Sequence, residues 1–290
     1  MHPIMGEDDS RLMPLPVTDT RLLFRPLCGA IVDLLRTLRG DDWERPTMAG
    51  SWRVRDVVAH LLDTSLRRIS FHRDGLRLPP PAGPAAVGRG LVRFIDTLNA
   101  TWIRAADRLS PRVLTDLYAR ASVDLADFVE TLNPDAAAVI PVSWAGETPA
   151  PQWLDIGREF TEVWHHGSQI REAVGAGPFS DAGWLRAVLQ IALHALPHAY
   201  RDVPGRPGLS VAIHITGSVS GTWALRHRDR GWDIDEGDLI EPTMTATMSD
   251  EVAWRLFFNA LSLPQAQSLV HLAGDTALAL PLLRARSVIV

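Results

Sequence analysis

The sequence predicts a two-part fold, in which a helical bundle is followed by a small α+β domain. Over about the first 175 of its 290 residues, apolar side chains recur at helical spacing in segments of roughly 20 residues, and loops rich in Pro and Gly separate these segments. From residue 209 the pattern changes to the alternation that is typical of strands. Long helices joined by loops favour an antiparallel bundle, and a few strands with helices nearby favour a small covered sheet.

Five helices are expected in the N-terminal half, after a flexible leader over residues 1–17. The second helix begins at Ser51, a residue type that caps helix N-termini well. The other four are predicted over residues 18–39, 88–109, 113–132 and 152–174. The proline-rich run 78–84 cannot continue a helix and is expected to be a stiff connection. These segments predict one helical domain over residues 18–175.

The C-terminal domain is expected over residues 181–290, after the Gly-rich boundary 175–180. One more helix is predicted over 181–200. Strands are predicted over 209–216, 222–228, 232–234 and 243–248. Further helices are predicted over 250–260, 263–272 and 275–283. The mixture of a small sheet with flanking helices is typical of an α+β domain.

Composition excludes several classes of function. The chain is 46% hydrophobic and 22% charged, with a formal net charge of -5. A net negative chain without basic runs offers no electrostatic surface for nucleic acid or for anionic membranes. Cys28 is its one cysteine, so an internal disulfide is excluded and a reducing, cytoplasmic location is expected. No run of about 18 apolar residues is present, so no membrane span is expected.

All 29 basic residues are arginine, and the sequence contains no lysine. Schiff-base catalysis, a pyridoxal phosphate anchor and a Walker-A phosphate loop each need a lysine, so all three are excluded. Arginine instead supplies a fixed charge that suits bidentate contacts with carboxylates or phosphates. Exclusive use of arginine is also typical of a GC-rich genome.

A carboxylate and an imidazole lie four residues apart in the fifth predicted helix, at Glu162 and His166. Residues at this spacing lie on the same helical face about 5–6 Å apart, which suits two ligands of one divalent metal ion. The same spacing also occurs in ordinary surface pairs. A metal site therefore needs a third ligand, and His60, beside the apolar stripe of the second helix, is the candidate unless it is a satisfied core histidine.

Several sequence motifs resemble those of the mycothiol-dependent maleylpyruvate isomerase family. The matching residues are Trp43, Pro46, Thr47, Ser51, Trp52, Val54, Asp56, Val57, Val58, His60 and Leu61, followed by Glu162, Trp164, His166, Gly167, Ile170, Arg171 and Gly175. Near the end, Ala273, Gly274, Asp275, Leu278, Leu282 and Leu283 match as well. The resemblance implies a DinB-like metal-binding four-helix bundle followed by a domain similar to sterol carrier proteins. With the arginine usage, it also implies an actinobacterial source.

Carried over residue by residue, the resemblance implies metal ligands at His60, Glu162 and His166. His165 is the alternative to His166, and a bundle that binds no metal is the alternative to the whole triad. Two imidazoles and one carboxylate leave open positions on a zinc-like ion, as catalytic sites do. A thiol bound there loses its proton. The expected cosubstrate is mycothiol, which would act as a metal-bound thiolate.

The resulting prediction is a metal-dependent isomerase or S-transferase that combines a low-molecular-weight thiol with a small electrophile. Trp52 and Trp164 are candidates to line its pocket. Glu159 is interpreted as part of a solvated helix face, with support of a ligating histidine as the alternative. Two other functions stay open: a thiol-independent metal-dependent lyase, cyclase or hydrolase, and a non-enzymatic protein that binds a small molecule in its C-terminal domain.

Overall fold

The computed structural model describes residues 12–77, 89–147, 149–205 and 208–288. These residues form two compact units. The first, here the helical unit, comprises Asp19–Val139 and Pro151–Ser180. The second, here the sheet unit, comprises the described residues up to Thr18, Ile140–Ala150 and those from Asp181 onward. The predicted fold class, a four-helix bundle followed by an α+β region, is confirmed.

The helical unit contains five long helices. They are α1 (Phe24–Thr37), α2 (Val54–Arg68), α3 (Arg89–Ala106), α4 (Pro111–Glu130) and α5 (Gln152–Val174). Helices α1, α2, α4 and α5 pack together as the bundle, and α3 packs against α2. The rings of Phe24 and Phe160 meet edge to face at 5.6 Å between α1 and α5. The predicted proline-rich connection, residues 78–84, lies outside the described residues.

The N-terminus of α2 differs from its prediction. Ser51 is exposed and lies in the turn before the helix, while Arg53 occupies the N-cap position. Asp56 takes over the capping role, because its Oδ2 accepts a hydrogen bond of 2.9 Å from the Arg53 N–H. In the preceding turn, the Thr47 N–H donates to the Trp52 carbonyl over 2.9 Å. This turn holds Trp52 beside the first turns of α2.

Helix α5 passes close to α1 at a glycine. A Cβ added at Gly167 would lie 2.8 Å from Ile31 Cδ1 and 2.9 Å from Phe179 Cζ, which is closer than real Cβ contacts. The helix ends at Gly175, whose φ of 70° lies in the left-handed region that favours glycine. The bounds of α5 match those predicted from the sequence. Glu162 and His166 therefore lie on the same face of one continuous helix, as their spacing predicted.

The sheet unit contains a six-stranded sheet of order β1-β4-β3-β2-β5-β6. The strands are β1 (Met13–Pro14), β2 (Ser210–Thr216), β3 (Gly221–Arg228), β4 (Gly231–Glu236), β5 (Met244–Ser249) and β6 (His271–Gly274). Strands β2 and β5 are parallel, and the other neighbours are antiparallel. The helices of the unit are α6 (Ala182–Leu193), α7 (Ala195–Ala199), α8 (Asp250–Phe257), α9 (Leu263–Leu269) and α10 (Ala279–Arg284).

Three features of the sheet unit were not expected from the sequence. Met13–Pro14, in the predicted leader, pairs with Asp235 and Glu236 of β4. Residues 271–274 pair with β5 as a strand, so the helix predicted over 263–272 ends early. Ile140–Ala150 belongs to this unit although it precedes α5 in sequence.

Within the described residues, no helix is both long enough and apolar enough to cross a bilayer.

Candidate metal centre

The fold brings His60, Glu162 and His166 together within the helical unit. His60 lies in the middle of α2, and the other two residues lie one turn apart on α5, against which α2 packs. His60 and His166 are buried, at 4% and 8% relative exposure, while Glu162 is half-buried. The two imidazoles are therefore largely shielded from solvent, while the carboxylate stays in partial contact with it.

The three side chains converge on one carboxylate oxygen. Glu162 Oε1 lies 3.1 Å from His60 Nε2 and 3.2 Å from His166 Nε2. One donor atom from each residue lies within 4.8 Å of the other two, and the imidazole centroids are 4.7 Å apart. Distances of this size between donor atoms are those expected when all three bind one ion at about 2.0–2.2 Å from each.

Electrostatics at the centre favour a cation. Burial opposes ionisation of Glu162, but the charge and hydrogen bonds of His166 and His60 hold its pKa well below the ordinary value. Burial lowers the pKa of His60 to about 4, which keeps this imidazole neutral near pH 7. Burial also opposes protonation of His166, yet the neighbouring Glu162 carboxylate raises its pKa. An anionic oxygen beside two imidazole nitrogens is a donor set that fits a divalent ion of the zinc type.

Gln169 connects His166 to its neighbour His165. The Gln169 Oε1 lies 2.7 Å from His166 Nδ1, and the Gln169 Nε2 lies 2.9 Å from His165 Nε2. His165 Nε2 is therefore directed towards the amide, whereas His166 Nε2 is directed towards Glu162. This arrangement supports His166 over His165 as the ligand. Position 169 was missed in the sequence, although its spacing of three residues from His166 places both on one helical face.

The two tryptophan candidates occupy different surroundings. The Trp52 ring lies 5.0 Å from the His60 ring and 6.3 Å from the His166 ring, measured between centroids, and it is half-buried. Trp164 is buried, and its ring lies 6.2 Å from that of Phe179. Trp52 thus forms a wall beside both imidazoles. A pocket role for Trp164 stays a prediction.

A buried ionic cluster links the same two helices. Arg68 of α2 donates to Asp155 of α5 over 2.6 Å, and Arg158 donates to Asp155 over 2.9 Å. Arg158 also pairs with Glu159 at 3.4 Å. Glu159 is only 6% exposed, so its interpretation as part of a solvated face was wrong. Burial raises the pKa of Glu159, and the nearby Arg158 charge opposes this shift.

Cys28 does not belong to the candidate centre. It lies in α1 at 3% relative exposure, and burial raises the pKa of its thiol to about 12. The thiolate is the nucleophilic form of cysteine, so Cys28 is almost entirely in its unreactive thiol form at neutral pH. Any sulfur nucleophile used by this protein must come from another molecule.

Two imidazoles and a carboxylate on facing helices of a bundle form a candidate metal centre of the kind that helical bundles can build. The comparison with known families identifies the family of this chain, because residues 24–171 match the model described as the mycothiol maleylpyruvate isomerase N-terminal domain. The match covers just over half of the chain and includes all three residues of the centre. The protein belongs to this family and is an enzyme of the maleylpyruvate isomerase type.

Solved structures show more distant similarity. Two crystal structures of mycothiol-dependent maleylpyruvate isomerase, one of them a histidine-to-alanine mutant, each have a TM-score of 0.48. The mutant is 12% identical, and its alignment covers 89% of this chain and 93% of its own. The other is 13% identical over 83% of this chain and 88% of its own. Sterol carrier protein 2 like 2 from Aedes aegypti is 20% identical over 33% of this chain and 93% of its own, with a TM-score of 0.27. No curated protein matches the sequence significantly.

Proposed function

We propose that this protein is a divalent-metal-dependent isomerase or S-transferase that uses mycothiol to attack a small electrophile. The observation that carries the proposal is the convergence of His60 Nε2 and His166 Nε2 on Glu162 Oε1, at 3.1 and 3.2 Å. Mycothiol is the proposed thiol because the family to which the chain belongs is named for it. Zinc is the proposed ion, since imidazole and carboxylate ligands suit it well.

The three ligand residues divide the work of holding the ion. His60 and His166 each offer an Nε2 lone pair, and Glu162 adds the negative charge that offsets part of the ion's charge. When bound, the ion supplies a positive charge that favours the thiolate form of a coordinated thiol at neutral pH. Among the residues that the structure describes, three side chains are placed as ligands, so positions remain open for the cosubstrate.

The thiol must be external, because the single cysteine of the chain is buried and its pKa is raised to about 12. A freely diffusing low-molecular-weight thiol is abundant only where reducing conditions prevail. A cytoplasmic location is therefore part of the proposal.

The proposed isomerisation is redox-neutral. The thiolate sulfur adds to one carbon of a carbon–carbon double bond conjugated with a carbonyl, and the π electrons move onto the carbonyl oxygen. Rotation about the new single bond follows. The electrons then return, the carbon–sulfur bond breaks, and the double bond re-forms in the other configuration with the thiolate regenerated. In the S-transferase variant the sulfur stays attached to the product. Trp52, beside both imidazoles, is placed to limit water at the reacting atoms.

The test begins with elemental analysis of the purified wild-type protein, His166→Ala and the control His271→Ala, an exposed histidine on β6. We expect about one divalent metal ion per chain, such as zinc, in the wild type and the control, and none in His166→Ala. A wild-type protein that neither contains nor binds a divalent metal would remove the basis of the proposal.

The second stage supplies mycothiol and maleylpyruvate to the metal-loaded protein. Isomerisation with no net loss of thiol supports the isomerase, and stoichiometric loss of thiol in a screen of other electrophiles supports the S-transferase. Cys28→Ala serves as the control for a protein thiol and should keep full activity. Turnover that persists without any added thiol would instead support metal-bound water as the nucleophile, as in a hydrolase or lyase.

A further inference from the structure

Gln169 forms two hydrogen bonds at the centre, and each bond uses a different end of its amide. The carbonyl oxygen accepts from His166 Nδ1 at 2.7 Å, and the amide nitrogen donates to His165 Nε2 at 2.9 Å. All three side chains are buried, with Gln169 at 5% exposure, so water competes little for these bonds. The residues lie at positions i, i+1 and i+4 of α5, which places Gln169 one turn beyond both histidines.

The two ends of an amide are not interchangeable. A carbonyl oxygen only accepts, so His166 must carry a proton on Nδ1. An amide nitrogen only donates, so His165 must present a lone pair at Nε2 and carry its ring proton on Nδ1. Reversing the amide would require the opposite arrangement at both rings. The two histidines therefore become coupled, because in the observed amide orientation one glutamine satisfies both only when both carry the proton on Nδ1.

We infer that Gln169 and His165 form a positioning pair that holds the Nδ1 proton of His166 and leaves its Nε2 facing Glu162 as the metal-binding atom. His165, considered as the ligand from sequence alone, acts here on the orientation of Gln169. In metal sites, the partner of the second ring nitrogen fixes the tautomer and the ring orientation of a ligating histidine. The effect on metal affinity rests on the proposed function, whereas the proton positions do not.

The proton positions are measured first, in the metal-free protein with ¹⁵N-labelled histidine, by long-range ¹⁵N–¹H correlation spectra. In the wild type we expect protonated Nδ1 at both His165 and His166. Gln169→Leu should remove both preferences. Gln169→Glu should keep the Nδ1 proton of His166, because a carboxylate still accepts, but it should move the His165 proton to Nε2, because a carboxylate cannot donate. An unprotonated His166 Nδ1 in the wild type would overturn the inference.

Metal titration provides the second measurement. Loss of such a partner typically lowers metal affinity about 10- to 100-fold, so we expect this loss in Gln169→Leu. Gln169→Glu should bind at least as tightly as the wild type. The matched control is Gln152→Leu, which removes another buried amide from α5 that bonds to Asp155 and not to the histidines. Cobalt(II) spectra report the ligand set, and a change confined to Gln169→Leu is expected.

The two measurements separate the two proposals. If the wild type binds no metal, the proposed function fails, and the proton positions alone decide the role of Gln169. If the wild type binds metal but Gln169→Leu matches it in affinity and cobalt spectrum, the positioning role is overturned while the proposed function stands. Gln169→Glu is the control for misfolding. If it folds and binds metal, position 169 tolerates substitution, and the loss of metal affinity in Gln169→Leu reflects the missing hydrogen-bond acceptor.

Discussion

Arg68 of α2 donates through Nη2 to Asp155 Oδ2 of α5 over 2.6 Å, and both side chains are almost fully buried. Asp155 also accepts from Arg158 on its own helix. The pair joins the two helices that carry the candidate ligands. A buried charge is costly unless an opposite charge lies beside it. The distance between α2 and α5 at this point therefore depends on the Asp155 carboxylate.

Asp155→Asn should destabilise the protein strongly, since it removes the charged carboxylate to which the buried Arg68 guanidinium donates. Removal of one member of a buried pair typically costs about 3–5 kcal/mol of the free energy of unfolding. Urea unfolding of the full chain measures this difference. Asp116→Asn is the matched control, because Asp116 is 70% exposed and lies 4.0 Å from Arg112. Equal stability losses in the two variants would contradict the assigned role of the buried pair.

Gly167→Ala should weaken the contact between α1 and α5. Alanine gains up to about 1 kcal/mol over glycine within a helix, but overpacking a core typically costs about 1–3 kcal/mol. The added Cβ would lie 2.8 Å from Ile31 Cδ1, so we expect a net loss. The control is Gly29→Ala in α1, where no atom lies within 4 Å of the new Cβ, and this variant should be stabilised.

Thermal unfolding of the two glycine variants decides the point. A second substitution, Ile31→Val, removes the contacting Cδ1 and should recover part of the stability of Gly167→Ala. Since His166 precedes Gly167, a shift of α5 should also lower metal affinity in Gly167→Ala. Stabilisation of both glycine variants would contradict the prediction, because it would show that the side chains of α1 can move away from the new Cβ at little cost in free energy.

Trp52→Leu should impair catalysis and leave the metal in place. The Trp52 ring lies beside both imidazoles but supplies no ligand atom. We expect KM for the electrophile to rise several-fold, with about one metal ion per chain. Trp164→Leu should instead lower stability by up to about 3 kcal/mol, because its buried ring packs near Phe179 and full truncation of such a ring to alanine costs about 3–5 kcal/mol. A rise in KM in Trp164→Leu, without loss of stability, would place Trp164 in the pocket.

Asp250 should make the stability of the sheet unit depend on pH. Burial opposes its ionisation, but hydrogen bonds from Ser218 Oγ, at 2.7 Å, and from the Val219 N–H, at 3.0 Å, lower its pKa below the ordinary 3.8. A lowered pKa means that the carboxylate stabilises the fold fully above pH 3.8. This contribution falls below that pH and is lost as the pH drops through the folded-state pKa.

Asp250→Asn should therefore cost about 1–3 kcal/mol at pH 7, and the difference from the wild type should vanish in acid. Urea unfolding of both proteins between pH 2 and 7 measures this dependence. Ser218→Ala removes one donor, so the folded-state pKa of Asp250 should move closer to 3.8, and the loss of stability in acid should be smaller and complete at a higher pH. A difference that stays constant down to pH 2 would exclude ionisation of Asp250 as the cause.

The sequence by itself determined what depends on local spacing. Helical periodicity predicted α5 with correct bounds, and the four-residue spacing therefore placed Glu162 and His166 on one face. Strand alternation predicted β2 and β3 with bounds correct to one residue. In each case the pattern reflects which face of an element is buried, and that information lies within a single segment.

Only the tertiary structure decided which distant groups meet. It brought His60 of α2 to Glu162, where the sequence offered a resemblance and the alternative of a core histidine. It directed His165 towards Gln169, and it buried Arg68 with Asp155, two charges that periodicity would leave at a helix surface. It also paired Met13–Pro14 with β4, although two residues carry no periodic pattern. These contacts depend on how whole elements pack against each other. A residue pattern within one segment carries no information about which distant segment will pack there, so such contacts could not be predicted from the sequence.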